Sequence, residues 1–190
     1  MKSRRRVCYI LFAVMVLFLL MRIVYVNQHA RLPQINIIGQ GDKVTYCGLE
    51  YEIVNASIWD YSRFFEKNEY LKEYKDTEND STMWKILLVE YQITKTNRKN
   101  KLDLYIPIRY AHTFNGVDAF MVQEMNSTLL DGTFESGDIV RIPYEIYREN
   151  LTDEQWKDVE QLDMTYRAIL GTYPVRNEMM ITNVVTGECE

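Results

Sequence analysis

The sequence has few of the residues that build cross-links or metal sites. Its 190 residues include three cysteines and two histidines. Beyond the N-terminal apolar run only Cys47 and Cys189 remain, which are too few for a disulfide framework, although these two could pair with each other. Neither His29 nor His112 has a histidine or cysteine at the spacing of a zinc site. We therefore expect no metal or other cofactor, and a domain stabilised by its hydrophobic core.

The motifs of nucleophilic and nucleotide chemistry are also missing. No serine lies in a G-x-S-x-G or S-x-x-K motif, and no cysteine has a histidine nearby. The segment Gly39-Gln40-Gly41 lacks the third glycine of a dinucleotide fingerprint. The acidic loop 76–80 lacks the glycine and the closing glutamate of a calcium loop. The sequence thus indicates no catalytic, cofactor-binding or metal-ligating residue, and leaves open only a pair of carboxylates facing each other across a cleft.

Acidic residues are absent from the first 26 positions, which hold five of the 22 lysines and arginines. The run from Val7 to Val26 is apolar apart from Arg22. A helix of this length, rising about 1.5 Å per residue, spans about 30 Å, the thickness of the hydrocarbon core of a bilayer. The sequence therefore predicts a basic N-terminus at 1–6 and a transmembrane helix at 7–26.

The basic residues before the apolar run predict the orientation of this helix. Lysine and arginine stay on the cytoplasmic side, so the N-terminus is expected inside and the residues from 27 onward outside. A cleaved signal peptide is the alternative, but its apolar core is shorter, and residues 28–30 make a poor cleavage site. We expect an uncleaved single-pass anchor in the cell membrane, in contact with the lipid bilayer, that carries an extracytoplasmic C-terminal domain.

The residues after position 26 are acidic as a group. They hold 17 basic and 27 acidic residues, a formal charge of −10. This charge argues against nucleic acid as a partner and against lying on an anionic membrane surface. An aromatic content of 13% suffices for a packed core and argues against disorder. Pro33 and the turn at 39–41 predict a stalk over 27–40, followed by one domain at 41–190.

Short runs of alternating apolar and polar residues predict strands. A change of phase near Ile53 predicts a β-bulge. The run from Ile86 starts fully apolar, which indicates a central strand buried on both faces at one end. Pro107 and Pro143 place two of the runs at a sheet edge or at a strand end. The predicted strands cover 49–53, 86–93, 102–110, 140–146, 164–173 and 178–185.

Two stretches have the helical period instead. In the first, over 60–75, Asp60 is the expected N-cap. The second begins at Thr152, which forms a capping box with Gln155, while Leu151 and Trp156 form a hydrophobic staple. We expect this helix to bury Trp156 and Val159 against the strands.

The pattern of many short strands and few helices predicts a mainly β fold. We expect an antiparallel immunoglobulin-like β-sandwich with two short helical insertions; a small α+β domain is the alternative. The expected core includes Leu88, Tyr91, Ile93, Leu104, Ile106, Ile142, Tyr144, Tyr166, Ala168 and Leu170.

Several turns and strand ends also resemble a known group of proteins. They are Gly41-Asp42-Lys43-Val44, Gly48-Leu49-Glu50-Tyr51, the strand from Leu87 to Thr94 running into Asn97, the turn at Gly137 before Ile142-Pro143-Tyr144, and Tyr173-Pro174-Val175. Together with the anchor, they resemble membrane-anchored, immunoglobulin-like extracytoplasmic proteins of unknown function from Gram-positive bacteria. The chain departs from that group at Arg98, where the group has serine or threonine. The resemblance implies a fold and a location, and no activity.

These observations favour a binding or scaffolding module at the outer face of a membrane. Its partner would be another protein or a component of the cell envelope. An accessory subunit of a transporter or secretion system is a second hypothesis. The third is an extracytoplasmic hydrolase that uses paired carboxylates.

Overall fold

The N-terminal part of the chain is one long helix. The structure is a computed structural model, and the residues that it describes are 2–30, 32–76, 83–96, 102–130, 134–172 and 174–187. It divides into two units, Met1–Pro33 and Gln34–Glu190. Helix α1 (Lys2–His29) makes up most of the first unit. Its segment Leu11–His29 has a mean hydropathy of 1.9 and is long and apolar enough to cross a membrane.

The described residues of the second unit form ten strands in two sheets. The strands are β1 (Gln34–Ile38), β2 (Lys43–Tyr46), β3 (Leu49–Asp60), β4 (Trp84–Lys95), β5 (Ile108–Tyr110), β6 (Thr113–Asn115), β7 (Ile139–Tyr147), β8 (Tyr166–Leu170), β9 (Val175–Ile181) and β10 (Val185–Thr186). The first sheet has the order β1-β9-β8-β5-β6. The second sheet has the order β10-β3-β4-β7, with β2 also paired to β3.

Short helices connect several of these strands. Between β3 and β4 the chain forms α2 (Tyr61–Lys67) and a 3-10 helix (Glu69–Tyr74). Between β6 and β7 it forms α3 (Ala119–Met125) and α4 (Ser127–Leu130). Between β7 and β8 lie a 3-10 helix (Arg148–Asn150) and α5 (Asp153–Glu160). The described part of the domain is therefore mainly β with helical connections, as its alternating pattern predicts.

One hydrophobic core takes side chains from both sheets. Tyr91 and Tyr144 come from the second sheet, and Tyr166 and Leu170 come from the first. The hydroxyl oxygens of Tyr91 and Tyr144 lie 3.1 Å apart, and the Tyr144 hydroxyl donates to the Ile106 carbonyl at 2.7 Å. Because buried polar groups need such partners, these bonds let two tyrosines occupy the centre of the core.

A second, smaller core lies on the opposite face of the second sheet. Strand side chains alternate between faces, so Leu87 and Val89 of β4 enter the shared core. Ile86 and Leu88 instead pack with α2, the following 3-10 helix and α3. This arrangement explains the fully apolar start of β4. The prediction of a central strand buried on both faces at one end is confirmed.

Several other expectations about single elements are confirmed. The pairing of β3 with β4 shifts register between Ile53 and Asn55, at the predicted bulge. Strand β7, which contains Pro143, lies at the edge of its sheet. Helix α5 begins with the predicted capping box at Thr152. Trp156 and Val159 are buried in the shared core.

The N-terminal strand of the domain differs from the expectation of a stalk over 27–40. Residues 34–38 form β1, which pairs along its whole length with β9. Ile38, at the end of β1, is buried in the shared core. The β1–β9 and β10–β3 pairs are parallel, whereas a purely antiparallel fold was expected. Both exceptions involve short strands near the ends of the domain. The alternation of apolar and polar residues does not determine whether such strands pair in parallel or antiparallel.

The segment before β5 is shorter in regular structure than its alternation predicts. Strand β5 begins at Ile108, and 102–107 form no strand. Pro107 has no backbone N–H to give to a ladder, and its carbonyl accepts from the N–H of Ile169 at 2.9 Å. Of the ten expected core residues, Leu104 is only partly buried against the shared core, and Leu88 packs on the opposite face. The other eight belong to the shared core.

The helical expectations need two corrections. The helix predicted over 60–75 changes at Asn68, whose φ of −111° and ψ of 65° are not helical, into a 3-10 helix. Helices α3 and α4 were not expected at all. Cys47 is exposed, while Cys189, Arg98 and Tyr173 lie outside the described residues, so the possible Cys47–Cys189 bond stays a prediction.

Candidate functional site

A cleft opens between the edge strand β7 and the loop that joins β6 to α3. It has a volume of about 280 Å³ and is lined by Asn115, Gly116, Val117, Asp118, Glu145 and Tyr147. On β7, Tyr144 and Ile146 point into the shared core, so the alternation of strand side chains places Glu145 and Tyr147 on the other face. We call this site the carboxylate–tyrosine cleft.

Local hydrogen bonds fix the loop side of the carboxylate–tyrosine cleft. Asp118 is the N-cap of α3, and its Oδ1 accepts from the backbone N–H groups of Phe120 and Met121, each at 2.9 Å. The Asn115 amide donates to the backbone carbonyl of Glu145. These hydrogen bonds connect the loop to α3 and to β7. Asp118 and Glu145 therefore line a cleft whose two sides are joined by hydrogen bonds.

Glu145 has a perturbed pKa. Burial raises it, the hydrogen bond from the Tyr147 hydroxyl lowers it, and the negative charges of Asp118 and Asp76 raise it further, for a net increase. Both charged neighbours that affect this pKa are acidic, so the environment of Glu145 disfavours its ionised form. A carboxyl with a raised pKa in a cleft is a candidate for function on physical grounds.

Aromatic rings support Tyr147 from behind. The Trp84 ring packs edge-to-face against Tyr147, with ring centroids 4.8 Å apart, and against Tyr61 at 5.1 Å. The Tyr61 hydroxyl accepts from the backbone N–H of Asp76 at 2.9 Å. Burial and the charges of Glu145 and Asp76 raise the pKa of Tyr61 to about 12, against the effect of that hydrogen bond. Burial and Glu145 also raise the pKa of Tyr147, so both hydroxyls stay protonated at neutral pH.

The carboxylate–tyrosine cleft can act chemically in two ways. Its negative potential can attract a cationic group, and the exposed side of a tyrosine ring also attracts cations. A carboxyl with a raised pKa can instead transfer a proton as a general acid. Among the described residues, no three histidine, cysteine, aspartate or glutamate side chains are arranged to hold a metal ion.

The residues of this cleft were not predicted from the sequence. Asp118 carries a usable signal, because an aspartate directly before the helix-forming run Ala119–Met125 is a typical N-cap. Glu145 lies in a run where it alternates with buried residues, but nothing there shows which loop faces it. His112, the only histidine of the domain, lies in the exposed turn between β5 and β6.

Comparisons with known proteins do not add to this geometry. The chain matches no family model, no curated protein and no solved structure. The function of the cleft has to be inferred from its own residues and their physical chemistry.

Proposed function

We propose that this protein is a membrane-anchored extracytoplasmic module that binds a cationic group of a partner through its carboxylate–tyrosine cleft. The observation that carries the proposal is that Glu145, Asp118 and Tyr147 line one open cleft, in which burial and the acidic neighbours raise the pKa of Glu145. The fitting ligand is a lysine or arginine side chain presented by another protein or by a component of the cell envelope.

The proposed anchor is supported by the length and apolar character of α1 and by the charges that precede its apolar run. Lys2, Arg4, Arg5 and Arg6 favour a cytoplasmic N-terminus, so the domain would lie outside the membrane. The two sheets with a shared core are compatible with an immunoglobulin-like sandwich. The resemblance to membrane-anchored proteins of Gram-positive bacteria supports the same location.

The electrostatics of the cleft favour a cationic ligand. Burial and the like charges of Asp118 and Asp76 raise the pKa of Glu145, and a nearby cation would lower it again because it favours the ionised form. Binding of a cation is therefore linked to release of a proton from Glu145, and the affinity should increase as pH rises through the pKa of this residue. The rings behind the cleft provide a rigid wall, and the face of Tyr147 can contribute a cation–π contact.

The acidic domain also favours partners that carry positive charge. Its formal charge of −10 outside the first 26 residues accelerates association with a basic protein and disfavours nucleic acid. A transporter or secretion system that exposes a basic surface beside the anchored domain would be such a partner. An accessory subunit of one of these complexes is a specific form of the same function.

A binding titration with matched variants tests this proposal. The full chain in nanodiscs of phosphatidylcholine is titrated by calorimetry with hexalysine and with hexaarginine. Because a hydrogen bond to a charged group contributes about 1.5 to 3 kcal/mol, Glu145→Gln and Asp118→Asn should each weaken binding about tenfold or more. Asparagine keeps the capping oxygen at position 118, so the loop should remain folded.

The control for this titration is Glu154→Gln, which removes the same charge from an exposed position on α5. It should change the affinity less than twofold. Equal weakening by all three variants would mean that the peptides sense only the net charge of the domain, and the cleft would lose its role.

A hydrolase is the second candidate, because one carboxyl with a raised pKa and a second carboxylate share one cleft. In that case Glu145 would donate a proton to the leaving group, and Asp118 would stabilise positive charge or activate water. Asp118 already accepts two backbone hydrogen bonds, which hold its carboxyl in position at the wall of the cleft. Turnover of a cell-wall glycan that is lost in Glu145→Gln would favour this candidate over the binding module.

A further inference from the structure

The outer face of the first sheet has the opposite charge to the rest of the domain. Ile108 and Tyr110 on β5, and Tyr166 and Ala168 on β8, point into the shared core. Alternation therefore turns the intervening residues to the face that lies away from the shared core. The charged residues on this face of the described strands are three arginines and one glutamate: Arg109, Arg167, Arg176 and Glu178.

The glutamate compensates two of these arginines. Glu178 is fully buried, and Arg167 Nη1 lies 3.0 Å from its Oε2 while Arg176 Nη2 lies 2.6 Å from its Oε1. Burial alone would raise the pKa of Glu178, but the hydrogen bond from Arg167 and the charge of Arg176 outweigh it and lower the pKa. Glu178 is therefore ionised at neutral pH, and its single negative charge is shared between two arginines.

Arg109 is left without a counter-charge. It is exposed and has no ion pair or side-chain hydrogen bond among the described residues. In the antiparallel pair of β5 with β8 it lies directly opposite Arg167. Like charges in this position destabilise a sheet. An anion held between the two guanidinium groups would remove that repulsion.

A cleft is present at this point of the sheet. It has a volume of about 160 Å³ and is lined by Arg109, Tyr110, Ala111, Thr165 and Arg167. A water molecule occupies about 30 Å³ of the liquid, so the cleft has room for a tetrahedral oxyanion. The planar guanidinium fork matches the oxygens of a phosphate group in pairs, and the Thr165 hydroxyl offers another donor.

We infer that this arginine cleft, formed by Arg109, Arg167 and Thr165, is a binding site for a phosphate group. Two sources share this chemistry. Lipid headgroups are one source, since the proposed anchor would hold the domain at a membrane. Free phosphate is the other. The site is separate from the carboxylate–tyrosine cleft and does not depend on its function.

The first experiment measures binding of inorganic phosphate to the full chain in phosphatidylcholine nanodiscs by calorimetry, at constant ionic strength. We expect saturable binding that Arg109→Gln weakens about tenfold or more. Arg63→Gln removes the same charge from an exposed helix position with only a 3.7 Å ion pair, and should change the affinity less than twofold. Absence of phosphate binding to the wild-type chain would overturn the inference.

A charge reversal separates loss of the site from loss of the fold. Arg109→Glu places opposite charges across β5 and β8, which stabilises such a pair, so the melting temperature should stay the same or rise while phosphate binding disappears. Unchanged phosphate binding in this variant would contradict the site.

The source is identified by repeating the titration in nanodiscs that contain phosphatidylglycerol. If the wild type binds inorganic phosphate more weakly in these nanodiscs than in pure phosphatidylcholine at the same ionic strength, lipid headgroups occupy the arginine cleft. An unchanged affinity would assign the cleft to soluble phosphate.

Discussion

At the scale of single residues, Glu145 and Glu178 show how two glutamates on strands acquire opposite properties. Burial and the negative charges of Asp118 and Asp76 raise the pKa of Glu145. Glu178 is more deeply buried, yet two arginines lower its pKa. The difference comes from the neighbours, which alternation in the sequence does not specify. Neither role was predicted from the sequence, because each depends on residues that the fold brings from other strands.

The raised pKa of Glu145 leads to a prediction about stability. A carboxyl whose pKa is higher in the folded state destabilises the fold at pH values above its folded pKa, and this penalty disappears as pH falls below its unfolded value. Glu145→Gln should therefore keep or slightly raise the melting temperature at pH 7, while it weakens binding of a cationic ligand. Thermal unfolding from pH 4 to pH 8 checks this. If the variant is less stable than the wild type at pH 7, favourable contacts of the Glu145 carboxylate outweigh the penalty for ionising it in the folded state.

Glu178 should behave in the opposite way. Removing one partner of a buried ion pair leaves the other charges without a counter-charge. Glu178→Gln should therefore lower the free energy of unfolding at pH 7 by about 3 kcal/mol. This value is at the low end for buried pairs, because the Arg167 side chain reaches solvent. Because the folded pKa is lowered, this contribution is present above the unfolded pKa and is lost as pH falls through the folded pKa. Urea unfolding of the variant and the wild type at pH 7 and at pH 3 measures both the loss of stability and its dependence on pH. Equal stability of the variant and the wild type at pH 7 would refute the role of the pair.

At the scale of elements, the alternation of apolar and polar residues predicted those strands that turn one face towards the shared core. Strands β3, β4 and β7 were found because their buried residues alternate, and α5 was found because its capping box and staple are local signals. The segment 102–107 alternates as well, but it forms no ladder. Its carbonyls at Ile106 and Pro107 accept from the Tyr144 hydroxyl and from the N–H of Ile169, which are contacts that no local pattern shows.

Helix α3 was missed for a related reason. Its buried residues Met121 and Val122 are divided between the two cores, so its apolar stripe is short and irregular. The carboxylate–tyrosine cleft depends on this helix because Asp118 is its N-cap. The location of that cleft therefore could not be predicted before the path of the chain between β6 and β7 was known.

Helix α5 provides a prediction at the element scale. Trp156 is 9% exposed in the shared core, and its indole N–H donates to Glu160 at 3.1 Å. Replacing it with alanine should cost about 3 to 5 kcal/mol of unfolding free energy, a large share of the stability of a typical domain. Glu154→Ala, on the exposed side of the same helix, is the control. Denaturant unfolding of the full chain measures the difference, and an unchanged midpoint for Trp156→Ala would assign this residue to partner binding instead.

At the scale of the whole molecule, charge is distributed unevenly among three regions. Basic residues precede the apolar run of α1, the domain is acidic overall, and one face of its first sheet is basic. The negative net charge of the domain predicted that it avoids anionic surfaces. A net charge cannot reveal the arginines on one face, because it sums over all faces of the domain. The outward residues of a sheet can be assigned only after the register of its strands is known.

The claim on which this account depends most is that α1 anchors the chain with its domain outside the cell. Protease added to intact spheroplasts that express the chain with a tag at each end tests it directly. Because basic residues before an apolar run favour a cytoplasmic N-terminus, we expect the C-terminal tag to be digested and the N-terminal tag to remain in the membrane on a fragment of residues 1 to about 30. Protection of both tags, or release of a mature chain that begins near Arg31, would contradict the account.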